Sequence, residues 1–239
     1  QLEKCIYRLK ISACIIITNF SNPTGHLMSD EHKERLVYIL SKNGIPLIED
    51  DAYGEIYFSD SRPLTCKQLD KKGLVLLCSS FSKTLAPGYR IGWCLPGKFK
   101  EQFLDIKLAH TVSTASPTQA AIAQFFNSGR YDLHIKNLRK QLQLQCTKYL
   151  DVIAKYFPAG TRSTKPKGGF VLWIELPTNI DSVEVFHKAF DLGISIWPGP
   201  IFSASEGFEN FIRISYGNPF DHRVENSLKL LGRLCSVSS

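Results

Sequence analysis

Ser79, Ser80, Ser82 and Lys83 crowd into one short stretch, and Arg90 follows seven residues after the lysine. One amine, several hydroxyls and one guanidinium converging on a ligand define a narrow chemistry. Hydroxyls and a guanidinium fork suit a phosphate, and an amine suits a carbonyl carbon through a Schiff base, so the set points to capture of a phosphorylated carbonyl compound. Two further stretches add charge. Glu49-Asp50-Asp51, followed by Tyr53, puts three acids in a row. Three adjacent carboxylates cannot all be buried and paired cheaply, because an unpaired buried one raises its pKa and takes a proton. At least one is expected to face a cation. Arg213 lies in Phe211 to Tyr216, where alternation puts it on one face with Phe211 and Ser215. A guanidinium presented from an apolar strand calls for a planar anion, either a ligand carboxylate or a structural ion-pair partner.

These side chains need elements to hold them. Leu74 to Cys78 is an unbroken apolar run, short enough for a strand covered on both faces as in a parallel sheet, and Ser79 begins where it ends. Open α/β sheets place ligands at that carboxyl end. Ala13 to Thr18 is a second such run and leads into Asn22-Pro23-Thr24-Gly25, which by itself is only a turn signal. Ile45 to Ile48 is a third, closed by the acids, and alternation separates Glu49 and Asp51 from Asp50. Between them Ser29-Asp30-Glu31 opens a helix that stops at Asn43-Gly44. Residues 98–110 read as a helix, Ser116-Pro117-Thr118-Gln119 starts another with Ser116 as its cap, and Gly129 ends it. A long helical pattern over 130–157 stops at Pro158. The last third reads as strand 169–176, helix 181–192, strands 193–197 and 211–216, and helix 221–235, an α+β pattern.

The stretch S-F-S-K-T-L-A-P-G-Y-R-I-G-W, residues 80–93, resembles the cofactor-lysine motif of fold-type I pyridoxal phosphate (PLP) enzymes, the aspartate aminotransferase superfamily. It is most similar to the aminotransferase-like domain of MocR-type members of the GntR family of bacterial regulators. The resemblance implies an α/β fold: part of a mostly parallel PLP-binding large domain with helices on both faces over 1–129, a connecting long helix over 130–157, and a smaller α+β C-terminal domain over 158–239. It implies Lys83 as the aldimine lysine and Ser80, Ser82 and Arg90 as phosphate ligands. Asn22, of the N-P-T-G motif, would bond the phenolic oxygen, with a cis Asn22-Pro23 bond turning it into the site. Asp50, three residues before Tyr53, would pair with the pyridinium nitrogen, and Tyr53 would contact the phenolic oxygen. Glu49 and Asp51 are then left as a solvated acidic turn. Arg213 matches the arginine that grips an amino acid's α-carboxylate. The four motifs occur in the family's order over nearly the whole chain. A rival reading of Ser80-x-x-Lys83, the S-x-x-K of penicillin-binding proteins, lacks any S-D-N or K-T-G partner.

Composition narrows the setting. The chain has 239 residues, 44% of them apolar, and no apolar run approaches a membrane span or a signal peptide. Its seven cysteines include no C-x-x-C pair; Cys14, Cys78 and Cys94 fall in apolar runs, so reduced, buried thiols in a cytoplasm are expected, with no metal site. The formal charge of +7 is spread along the chain, which favours a solvated surface over a basic patch. The chain opens on Gln1, and no glycine-rich helix start precedes Ser21. A piece of a longer polypeptide is therefore expected, holding the phosphate end of PLP poorly and the ring hardly at all, with an anion site remaining at Ser80, Ser82 and Arg90. In the regulator reading the parent is a homodimer that senses PLP with an amino acid or amino-acid-derived effector and touches DNA only through a helix-turn-helix ahead of Gln1. In the enzyme reading it is a stand-alone class I/II aminotransferase moving an amino group between an amino acid and a 2-oxo acid, with activity doubtful in this piece.

Overall fold

The computed structural model describes residues 2–237, which fall into two compact units, 2–20 with 27–137, and 21–26 with 138–237. The chain order is α1 (Leu2–Arg8), β1 (Cys14–Ile16), α2 (Asp30–Lys42), β2 (Leu47–Asp50), β3 (Val75–Ser80), β4 (Gly92–Leu95), α3 (Lys100–Thr111), α4 (Ser116–Asn127), α5 (Arg130–Tyr156), β5 (Arg162–Ser163), β6 (Val171–Glu175), α6 (Ser182–Asp191), β7 (Trp197–Pro198), β8 (Phe211–Ser215) and α7 (His222–Val237).

In the first unit the sheet order is β1-β2-β3-β4; the three apolar runs pair in parallel, and β4 returns antiparallel to β3. The mixed, mostly parallel sheet agrees with the α/β class read from the sequence. Helix α2 starts where its cap predicts: the Ser29 side chain accepts from the His32 N–H at 3.4 Å, and Gly44 leaves the helix at φ +68°. Its Leu36, Val37 and Leu40 pack with Ile45, Leu47, Cys66 and Val75, and Cys14 and Ile16 join them from β1. Each such side chain contributes about 1.5–3 kcal/mol by leaving water. Within this unit the two faces of the sheet are unequally buried. Ile15, which points away from α2, is 72% exposed, and Ile48 and Leu76 beside it are only half-buried. An apolar run therefore marks a strand without fixing how deeply each side chain is buried. The same holds for Cys14, Cys78 and Cys94, which are half-buried, while Cys66, Cys146 and Cys235 are the buried thiols.

Two local readings shift. Helix α4 is capped by Ala115, not Ser116, with no side-chain bond to its first turn, and Pro117 sits at the second helical position. Strand β4 was hidden because it is short, starts at a glycine and exposes Trp93 and Leu95.

The second unit has an antiparallel sheet in the order β5-β6-β8-β7. Leu172, Ile174, Ile212 and Ile214 are buried in its centre, and Leu228, Leu231 and Cys235 of α7 are buried with them. A Cβ at Gly232 would lie 2.4 Å from the Tyr156 carbonyl, so only glycine lets α7 come this close to the end of α5. Asp181 caps α6 by accepting from Val183 and Glu184 N–H groups at 2.7 and 3.2 Å. Residues 193–197 form far less strand than their pattern predicts, since only Trp197 and Pro198 pair with β8.

Candidate functional site

The parallel register sets Asp50, the last residue of β2, beside Cys78, so Ser79 and Ser80 follow at the same end of the sheet. The three acids there have unequal fates. Glu49 is fully buried and accepts from the Thr18 hydroxyl at 2.7 Å and from the N–H groups of Cys66 and Lys67 at 2.8 and 3.0 Å. Asp51 is 1% exposed; one carboxylate oxygen accepts from Asn19 Nδ2 at 2.8 Å and the other from Arg62 Nη2. Arg62 also donates from Nε to Glu55 at 2.6 Å. Burial pushes the Asp51 carboxyl above the usual carboxylate range, and the Arg62 guanidinium works against that rise. The Asp51 backbone is tied as well: its N–H donates to the Cys78 carbonyl at 2.8 Å, and its carbonyl accepts from the Ser79 hydroxyl at 3.1 Å.

Glu49 and Asp51 are therefore not a solvated turn. Donors far away in sequence were waiting for them, which makes burial affordable where local reasoning sees only repulsion. Asp50 lies on the opposite strand face and is half-buried. One of its oxygens accepts from the Ala52 N–H at 3.0 Å, and among the described residues the other has no partner. Of the three acids it is the one with a lone pair left for a ligand.

Tyr53 is buried, and Lys83 Nζ stands 5.7 Å from the centre of its ring. Such an ammonium over an aromatic face is weakly attracted by the ring quadrupole, which orients the lysine without locking it. Lys83 itself is exposed. The Ser80 and Ser82 hydroxyls are half-buried and have no hydrogen-bond partner among the described residues. Ser80 pairs with Gly92, and the Phe81 N–H donates to the Ile91 carbonyl at 3.0 Å; beyond that pair the Leu85 N–H donates to the Phe81 carbonyl at 2.8 Å, and this turn carries Ser82 and Lys83 out of the ladder. A Cβ at Gly92 would lie 2.8 Å from the Ser79 carbonyl, and glycine lets the returning strand lie this close. Arg90 is exposed at φ +55°, unusual for a residue with a side chain, and such strain clusters at ligand sites. The β3–β4 return thus holds Ser82, Lys83 and Arg90 in the segment between two paired strands, a relation that the seven-residue spacing alone does not reveal.

In the second unit the Asn22-Pro23 bond is cis, as the motif predicts. The Asn22 side-chain oxygen accepts from Arg213 Nη1 at 2.9 Å. The Arg213 guanidinium lies 5.2 Å from the centre of the Phe202 ring and 5.7 Å from that of Trp197. Two aromatic faces and one amide position the guanidinium and leave its planar fork a preferred direction.

Sequence reasoning missed Asn19, Arg62, Trp197 and Phe202 as supporting residues. Asn19 carried a faint signal, being a polar residue at the end of an apolar strand. Arg62 sits in an irregular stretch with nothing to mark it. Among the described residues no group of three or more His, Cys, Asp or Glu side chains could hold a metal ion. No described helix is long and apolar enough to cross a membrane.

Comparison with known proteins adds to this geometry. Residues 2–229 match the family model for aminotransferase class I and II. The chain is 37% identical over 233 residues to the uncharacterized HTH-type transcriptional regulator YdcR of Escherichia coli, covering 98% of this chain and 50% of that protein. It is 31% identical over 221 residues to the HTH-type transcriptional regulator NorG of Staphylococcus aureus, covering 92% and 49%. The chain thus spans about half the length of these curated relatives. Among solved structures, the α-aminoadipate aminotransferase LysN of Thermus thermophilus, complexed with N-(5'-phosphopyridoxyl)-L-leucine, superposes with a TM-score of 0.91 at 27% identity, over 98% of this chain and 61% of that one.

Proposed function

This chain belongs to the class I and II aminotransferase family, and from that premise we propose that it is the PLP-binding, aminotransferase-like effector part of a MocR/GntR-type transcriptional regulator. The observation that carries the binding half is Lys83 Nζ over the Tyr53 ring, at the end of the sheet where Asp50 keeps an uncommitted oxygen. The residues present fit PLP. Two hydroxyls with no partner among the described residues and a guanidinium suit its phosphate, an amine suits its aldehyde, and a carboxylate suits its ring nitrogen. When bound, PLP supplies an electron sink for negative charge at the α-carbon of an amino acid.

The chain's own groups do the rest. Ser80, Ser82 and Arg90 hold the phosphate by charge-assisted hydrogen bonds. Asp50 would hold the ring nitrogen with its carboxylate and so favour the protonated ring. The Lys83 amine carries the proton to and from the α-carbon, since it is a base on a flexible stem. Tyr53 would offer a hydrogen bond to the phenolic oxygen, while Asn22 and Arg213, in the second unit, match the residues that the family uses for the phenolic oxygen and the α-carboxylate. A regulator needs only the binding part of this set, with the amino acid as the effector.

The regulator reading rests on the relatives named HTH-type regulators, and the longer protein that carries this chain tests it. Its DNA affinity should change by at least several-fold on adding PLP and an amino acid, and Lys83→Ala should abolish that response. A longer protein with no helix-turn-helix that transfers amino groups between amino acids and 2-oxo acids would instead be an aminotransferase, and the regulator reading would fall.

A further inference from the structure

Cys78 and Cys94 face each other across β3 and β4 in direct register, with their sulfur atoms 3.5 Å apart. The position is of the right kind for a covalent link. Residues opposite each other in an antiparallel pair alternate between hydrogen-bonded and non-hydrogen-bonded sites. The Phe81 N–H to Ile91 carbonyl bond marks that pair as hydrogen-bonded. Counting back, Ser80 with Gly92 is non-hydrogen-bonded, Ser79 with Trp93 hydrogen-bonded, and Cys78 with Cys94 non-hydrogen-bonded. In that class the Cα atoms approach to about 4.5 Å, inside the roughly 4.4–6.8 Å that a disulfide spans. No backbone shift is then needed to bring the two sulfurs to bonding distance.

We infer that Cys78 and Cys94 are a dithiol site that closes to an intramolecular cross-strand disulfide when the oxidant is a low-molecular-weight disulfide. Both thiols are half-buried, which leaves a path for a small reagent, whereas Cys66, Cys146 and Cys235 are buried. Burial, and then its neighbour Cys78, pushes the Cys94 thiol up to about 12. The Cys78 sulfur attacks one sulfur of the reagent, its S–S bond breaks, and one reagent thiol leaves with the Cys78 proton. Cys94 then attacks the mixed disulfide at Cys78, the second reagent thiol leaves with the Cys94 proton, and the Cys78–Cys94 bond remains. Two protein thiols are oxidised and one reagent disulfide is reduced. The bond closes a ring over residues 78–94, which contains Ser80, Ser82, Lys83 and Arg90. This chemistry is independent of what the ring binds.

The test uses the intact chain, fully reduced, incubated without oxygen in oxidised glutathione, quenched in acid and digested with trypsin without reductant. Cleavage after Lys72, Lys83, Arg90 and Lys98 opens the ring, so an intramolecular bond leaves peptides 73–83 and 91–98 joined, about 2 Da lighter than their sum. Dithiothreitol should separate them. In Cys94→Ser, Cys78 should be recovered carrying glutathione, because nothing resolves the mixed disulfide. Recovery of Cys78 and Cys94 as free thiols while the exposed Cys5 carries glutathione would overturn the inference. So would a persistent glutathione adduct on Cys78 of the unsubstituted chain, or a bond from either residue to a different cysteine.

Discussion

The side-chain oxygen of Asn22 accepts a hydrogen bond from Nη1 of Arg213 at 2.9 Å, across 191 positions of sequence. The bond joins the cis turn after the first strand to the centre of β8, so two motifs that read separately in the sequence form one polar unit. A hydrogen bond to a charged donor contributes about 1.5–3 kcal/mol, less where water reaches it. A double-mutant cycle of Asn22→Ala and Arg213→Ala, followed by urea unfolding, should give a coupling of about 1 kcal/mol. Strict additivity would mean that the bond contributes nothing.

Lys83 should be the residue that PLP modifies. Borohydride reduction of the chain in the presence of PLP should leave a pyridoxyl group on Lys83, and peptide mapping should place it between Cys78 and Arg90. Label spread over several exposed lysines at equal yield would remove Lys83 from the site.

Asp50 and Asp51 should part company on substitution. Asp50→Asn removes the one acid with an uncommitted oxygen and should weaken PLP binding at least tenfold while leaving thermal unfolding nearly unchanged. Asp51→Ala strips the buried partner from Arg62 and Asn19 and should lower stability by about 2–4 kcal/mol. Calorimetry and a PLP titration on the two variants distinguish them; matching melting points would contradict the burial argument.

Asp70 should make stability depend on acid pH. Although burial opposes its charge, the N–H groups of Val75, Leu74 and Lys72 and the Lys67 ammonium hold its carboxyl below the usual carboxylate range. A depressed folded pKa gives stability that is present above the unfolded value and is lost as pH falls through the folded one. Asp70→Asn should therefore cost about 1–3 kcal/mol at pH 7 and progressively less below about pH 4. A cost that stays constant down to pH 2 would place the effect in shape rather than charge.

Much of the site was readable from residue order alone. The apolar runs ending at Thr18, Ile48 and Cys78 marked parallel strands, and polar residues after each marked the carboxyl end of the sheet, because a buried strand must stop being apolar where it meets solvent. The face alternation that separated Asp50 from its neighbours holds in the structure. The fates of those neighbours were not readable. Whether Glu49 and Asp51 are solvated or buried depends on Thr18, Asn19, Arg62 and two backbone N–H groups, and no local pattern announces that these will arrive.

The sequence pointed to the family through its resemblance to known motifs, and by itself determined the α/β class, most helix starts and stops, and the residues with chemistry to offer, since these follow from local preferences: side-chain periodicity, capping and turn geometry. Only the tertiary structure decided the antiparallel β4, the Cys78 to Cys94 contact and the hydrogen bond from Arg213 to Asn22. Each of these depends on pairing register between segments that are separate in the chain. Register is set by the packing of whole faces and by close approaches such as that at Gly92, and a shift of one residue would turn every one of these side chains to the other face.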